Sequence, residues 1–265
     1  MERYIFAAKQ GVHILDLDQT QKLLEEAGEY LFNIASKGGQ IIFVCTKKQV
    51  AKIAADEARR CGALFMNERW VGGTITNYSI VKKSIDKLLG LKKKRDAGEL
   101  SMYTKKERLL IDREIERLER FFGGVTELKG VPQAVVVVDA KREHTAINES
   151  RIFNVPVVAL IDTNSDPTGI AKVIPGNDDA AKSVEKVLRV LSDCIEAGYK
   201  EFTKSKEPEV VVVAMDAPAE ASTQETALEK APAKKAVAKK AAAKKTKVVV
   251  SKVAKSAEKS KKKKK

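Results

Sequence analysis

Residues 131–167 read VPQAVVVVDAKREHTAINESRIFNVPVVALIDTNSDP, and the order strand, helix, strand in this stretch decides the fold. Residues 135–138 are valines without polar alternation, the pattern of a strand covered on both faces in a parallel sheet. Asp139 ends that run. Ala146, Ile147, Ser150 and Phe153 then share one face at helical spacing, and Asn154 and Pro156 supply the stop signals of a helix end. Residues 157–161, VVALI, repeat the buried-strand pattern. Parallel neighbours in one sheet need a right-handed crossover, so the strand exits at Asp139 and at 162–167 are expected on one edge. Doubly wound folds bind their ligands there.

Outward from this unit, Tyr4, Ile5 and Phe6 and the run 12–17 are apolar segments separated by Lys9, Gln10 and Gly11, which predicts a small hairpin. Asp18 with Gln21 three residues on reads as a capping box. The helix it opens carries Leu23, Ala27, Leu31 and Ile34 on one stripe and stops at Gly38 and Gly39. Residues 41–45 predict a buried strand, 49–61 a helix, 63–66 a further strand, and 180–197 a closing helix with Val184, Val187, Leu188 and Leu191 inward. Segment 76–122 breaks this rhythm. Val81, Ile85 and Leu88 in its first half, and Ile111, Ile115, Leu118 and Phe122 in its second, predict two amphipathic helices with a coiled-coil seam, joined near Ala97 and Gly98.

A formal net charge of +14 points to a polyanionic partner. No apolar run approaches the roughly 20 residues that span a bilayer, and the first residues lack a signal-peptide pattern, so a cytoplasmic chain is expected. Cys45, Cys61 and Cys194 are odd in number and widely spaced, as buried structural thiols are, and not as a disulfide framework or a metal knuckle. From Lys230 onward there are 16 lysines against Glu258 alone, so most of the charge excess sits at the end of the chain. Lysine pairs at 234, 239 and 244 recur among alanines without an apolar face, and this segment is expected to be disordered alone and to act by counterion release on phosphate backbones.

Three ordered motifs carry a resemblance. Pro132, 135–139, Glu143, His144, Ala146, Glu149, Asn154, Pro156 and 161–167 form the first; residues 69–77, RWVGGTITN, the second; and 174–180, IPGNDDA, the third. Together they resemble the bacterial small-subunit ribosomal protein two family, over roughly residues 3–202. The resemblance implies a flavodoxin-like doubly wound parallel sheet as α/β domain 1–202, with the helical hairpin of residues 76–122 inserted in it; beyond residue 202, where the resemblance stops, composition predicts a disordered tail over 203–265, acidic to residue 229 and then Lys/Ala-rich and basic. It implies a non-enzymatic constituent of the small ribosomal subunit, cytoplasmic in the ribosome, without cofactor or metal. The hairpin would lie along ribosomal RNA, at the head-body junction on the solvent side, with ribosomal protein one as a neighbour. Family members carry a further N-terminal segment with GxHxGH-like and WNPKM-like runs; this chain starts where the final Met would fall, so either that segment is lost or, the preferred reading because the missing piece adjoins the RNA-facing part of the family fold, the start is assigned at an internal Met.

For RNA contact, the cluster Lys92, Lys93, Lys94 and Arg95 has no acid inside it, and adjacent cations repel one another unless a partner neutralises them. Lys105 and Lys106 continue it in the second helix. Lys47 and Lys48 follow a strand at a helix start, where backbone N–H groups favour phosphate. Arg69 and Trp70 could hold phosphate and stack on a base, against the competing reading of Trp70 as a core residue. Arg59, Arg60, Lys141, Arg142 and Arg151 are further candidates. Two other functions compete: a phosphate- or nucleotide-using enzyme with its site near Asp139 and Asp162, and a DNA-compacting protein acting through its tail. Against the enzyme, Asp166, Pro167, Thr168 and Gly169 have turn composition, no GxGxxG or GxxxxGK[ST] occurs, and His13 and His144 lack a nucleophile or metal partner at motif spacing.

Overall fold

The computed structural model describes residues 1–206. A compact unit runs from Met1 to Phe202; a second, Thr203–Lys265, is described only to residue 206, so the expected disorder of the tail falls mostly outside the described residues. A short antiparallel hairpin, β1 (Ile5–Lys9) and β2 (Val12–Leu15), precedes α1 (Leu17–Ala35). Then come β3 (Ile41–Val44), α2 (Ala51–Cys61), β4 (Leu64–Met66), α3 (Tyr78–Asp96), α4 (Lys105–Phe122), β5 (Ala134–Val138), α5 (His144–Ile152), β6 (Val157–Ile161), β7 (Lys172–Pro175) and α6 (Ala181–Lys206).

Strands β3 to β7 form one parallel sheet in the order β4-β3-β5-β6-β7. Counted from β3, that is 2-1-3-4-5, the order of flavodoxin-like doubly wound sheets. Alternation along each strand feeds two cores. Ile42, Val44, Val135, Val137, Val157, Ala159 and Ile161 pack on one face with residues of α3, α4 and α5. Ile41, Phe43, Val136, Val138, Val158, Leu160 and Ile174 pack on the other with residues of α1, α2 and α6. Both faces being covered is why these strands read as continuous apolar runs. Cys45, Cys61 and Cys194 are free and buried, and burial pushes the thiols of Cys45 and Cys194 up to about 12.

Several local expectations need correction. Helix α1 is capped by Asp16, whose side chain accepts from the amides of Asp18 (3.0 Å) and Gln19 (3.4 Å), and not by an Asp18–Gln21 box. Leu17 therefore starts the helix instead of ending the strand. Phe153 follows the last residue of α5 and stays 45% exposed, because the helix stops before another turn could carry it inward. Asn154 takes φ +52, which ends α5 where the sequence placed the stop. Strand β7 was not foreseen. Helix α6 runs on past Gly198 to Lys206, so residues 203–206 are helical and not part of a disordered tail. Gly198 is there for close approach: a Cβ would sit 2.7 Å from Ala35 Cβ and 2.8 Å from the Phe32 carbonyl on α1. Between α3 and α4, Val81, Ile85, Leu88, Ile115, Leu118 and Phe122 are buried in the same core as the sheet residues.

Candidate nucleic-acid interface

The parallel strands bring Lys47, Asp139, Asp162, Asp178 and Asp179 to one end of the sheet. Lys47 Nζ lies 3.0 Å from Asp139 Oδ2 and 2.8 Å from Oδ1 of both Asp178 and Asp179. Its side chain is 15% exposed. Burial alone would lower the Lys47 pKa, but hydrogen bonds to Asp178, Asp179 and Asp139 outweigh it and raise the pKa. Burial raises Asp178, against the pull of Lys47, and Asp178 Oδ2 is buried without a hydrogen-bond partner among the described residues. Asp162, Asp178 and Asp179 each bring a carboxylate oxygen within 4.8 Å of the others, spacing that can hold a cation, although Lys47 already faces two of them. The sequence alone names no metal site, and β7, which it does not reveal, is the strand that delivers Asp178 and Asp179 beside Asp162.

Asp139, Asp162 and Asp166 at this edge also build turns. Asp139, at φ +71, accepts from the amides of Lys141 (3.1 Å) and Arg142 (3.2 Å). Asp162 accepts from the Thr163 amide, and Asp166 from the Thr168 amide and hydroxyl. His144 opens α5 and is exposed, with Thr145 Oγ1 3.4 Å from its Nε2; His13 is exposed on β2.

Replacing Lys47 by Met leaves three carboxylates facing one another without a countercharge. The expected cost is about 2 kcal/mol at pH 7, below the range for a fully buried pair because the site is partly open. In that variant Asp178 loses the one group that opposes its upward shift. A carboxyl with a folded pKa above its unfolded value takes up a proton on folding, so stability is greatest at low pH and falls as pH rises through the folded value. Urea midpoints of Lys47→Met are thus expected to approach the parent's as pH is lowered from neutrality toward the ordinary carboxyl range; a deficit independent of pH contradicts this account.

Trp70 and Glu149 form the second constellation. Trp70 is 4% exposed, and its Nε1–H donates to Glu149 Oε1 at 3.2 Å. Glu149, 7% exposed, also accepts from the amides of Gly73 (2.8 Å), Ile75 (3.2 Å) and Thr76 (3.4 Å) and from the Thr76 hydroxyl (3.4 Å). One buried carboxylate thus ties segment 69–77 to α5. The indole is a core residue and offers no face for a base, which corrects the stacking role; Arg69 beside it is exposed.

The remaining cations divide by their partners. Lys92 pairs with Glu119 (2.6 Å), Lys87 with Glu114 (2.5 Å), and Arg95 with Asp96 (3.5 Å). Lys93, Lys94, Lys105 and Lys106 are exposed and make no ion pair among the described residues. They flank one connection, residues 97–104, from the last turn of α3 and the first turn of α4. The negative end of α3 suits Lys93 and Lys94. The positive end of α4 disfavours Lys105 and Lys106, which is helped only by the Thr104–Glu107 capping box. Met102, Tyr103, Leu109 and Leu110 are exposed in the same region. Arg60 is matched by Glu57, Asp193 and Glu196, and Arg59 by Asp56 while lying over the Phe65 ring. Lys48, Lys141, Arg142 and Arg151 are exposed without a carboxylate partner among the described residues.

Comparison with known proteins extends over the same part of the chain. The profile of the family described as "Ribosomal protein S2" matches residues 1–198. "Small ribosomal subunit protein uS2" of Francisella tularensis subsp. tularensis (strain FSC 198) is 45% identical over 195 residues, 74% of this chain and 82% of that protein. "Small ribosomal subunit protein uS2c" of Cyanophora paradoxa is 42% identical over 207 residues, 78% of this chain and 89% of that protein. A profile covering three quarters of the chain, and relatives aligned over more than four fifths of their own length, leave one assignment: this chain belongs to the ribosomal protein S2 family.

Proposed function

We propose that the chain is a structural, non-enzymatic constituent of the small ribosomal subunit, acting in translation and holding ribosomal RNA through exposed cations. The observation that carries this reading is the contrast between two ends of the molecule. At the sheet edge, where a doubly wound enzyme keeps its reactive groups, the carboxylates close turns or surround Lys47. At the α3–α4 connection, Lys93, Lys94, Lys105 and Lys106 stand exposed and unmatched among the described residues. Phosphate contacts of this kind position a protein on RNA without reading sequence. Arg69, Lys48 and the α3–α4 pair acting as a coiled-coil hairpin complete the proposed contact surface, together with the basic tail. Lys47 and Trp70 act from inside as structural supports. Family resemblance adds neighbouring small-subunit proteins, ribosomal protein one among them, and a place in the cytoplasm.

Cosedimentation with small subunits after a moderate salt wash tests the reading, with a nucleotide-turnover assay on the purified chain as the counter-measurement. The chain is expected in the subunit fraction and inert toward nucleotides; turnover, or absence from subunits, overturns the proposal. The double charge reversal Lys93→Glu, Lys94→Glu is expected to lower the salt concentration that releases the chain. At roughly 1 kcal/mol per lost or reversed surface charge, affinity falls about thirtyfold, while stability drops by only about 1 kcal/mol, the favourable interaction of the two lysines with the carboxyl end of α3 being lost.

A further inference from the structure

The sheet's strand order reverses between β3 and β5, and at the carboxyl ends of those two strands lies an open cleft of about 620 Å³. We infer that this cleft seats a phosphate group of the RNA backbone, held by Lys48, Lys52 and Arg142; the inference rests on the RNA-binding reading above. Four cations and two acids line it: Lys48, Lys52, Arg59 and Arg142 against Asp56 and Glu68. Asp56 is taken by Arg59, at 3.0 Å. That leaves three cations facing Glu68.

Arg142 is fixed in advance. Its Nε–H donates to Thr46 Oγ1 at 2.7 Å, and the Thr46 hydroxyl in turn donates to Glu143 Oε1, on a residue only 4% exposed. That relay uses the Nε edge of the guanidinium. The Nη atoms have no carboxylate within ion-pair distance among the described residues, and a guanidinium fork suits two phosphate oxygens. Lys48 precedes α2 and Lys52 lies in its first turn, near the positive end of the helix dipole, although the Val50 and Ala51 amides there are already taken by the Lys47 carbonyl. Neither lysine has a carboxylate partner among the described residues, in contrast to Lys47 beside them.

The lining also chooses between a polymer and a free mononucleotide. None of the lining residues is aromatic, and the apolar ones are Ala51 and Ala55 alone. A nucleobase finds nothing to stack on, whereas a backbone phosphate needs only the charge and the donors.

Amine acylation read by mass spectrometry tests the seat on the full chain. Lys48 and Lys52 are expected to react in the free protein, to be protected at least fivefold in assembled small subunits, and to give nucleotide adducts on ultraviolet crosslinking. Lys52→Ala with Arg142→Ala, both exposed positions, is expected to keep the chain in subunits but release it at lower salt. Unprotected lysines in subunits that contain the chain overturn the seat, and so do peptide adducts in place of nucleotide ones. Protection of the free chain by a nucleoside monophosphate with none in the subunit replaces it with a small-molecule site. A chain that never enters subunits fails the parent reading instead, so the two failures are told apart.

Discussion

Truncating Glu149 to Ala is expected to cost about 4 kcal/mol of stability, among the largest effects of any single side chain outside the apolar core. Its carboxylate accepts from the Trp70 indole, from three backbone amides and from the Thr76 hydroxyl. Removing an acceptor from buried donors costs about 1–3 kcal/mol for each group that water cannot reach. Trp70, Ile75 and Glu149 are buried, whereas Gly73 and Thr76 can recover solvent partners, so the sum stays well short of five full penalties. Glu149→Gln is the sharper variant. It keeps the volume but turns one end of the group into a donor facing N–H groups, and about half the full loss is expected. Trp70 is the chain's one tryptophan, so its fluorescence reports this constellation directly during urea unfolding. A Glu149→Ala chain within about 1 kcal/mol of the parent would remove the carboxylate from its organising role.

That carboxylate also shows what a linear reading can and cannot find. Glu149 and the 69–77 segment stood out as motifs, but their bond spans 79 residues between Trp70 and Glu149, and nothing local announces it. Strands β3, β5 and β6 were legible because burial on both faces forces unbroken apolar runs. β7 was not, since Lys172–Pro175 is a four-residue edge strand ending in proline, too short for a period to show. With it went the delivery of Asp178 and Asp179, and so the fate of Lys47, whose partners there lie 131 and 132 residues away. The start of α1 was sought at Asp18, and spacing alone gave no sign that Asp16, two residues earlier, would reach the free amides instead. Lys52 lies inside the predicted helix 49–61 with no motif to single it out, and only the folded chain brings it to the same cleft as Arg142.

The other large effect is expected from ending the chain after Glu229. Of 50 Lys and Arg and 36 Asp and Glu, the removed segment holds 16 lysines and one glutamate, leaving 34 against 35 and a formal net charge of −1 in place of +14. Affinity for unstructured RNA follows the number of phosphates neutralised, with a slope in log salt of about 0.7 per phosphate on single strands. If half of those lysines meet phosphates, truncation flattens the slope by roughly 5 to 6, and low-salt affinity for generic RNA drops by about three orders of magnitude. Association with the small subunit is expected to survive, because residues 1–198 alone match the family and carry the exposed cations at the α3–α4 connection. The two readouts separate a general attraction for polyanions from a shaped fit. A truncated chain that leaves the subunit fraction altogether would assign binding to the tail and return the DNA-compacting alternative to the front. One that binds generic RNA as tightly as the full chain would mean the lysines meet no phosphate at all.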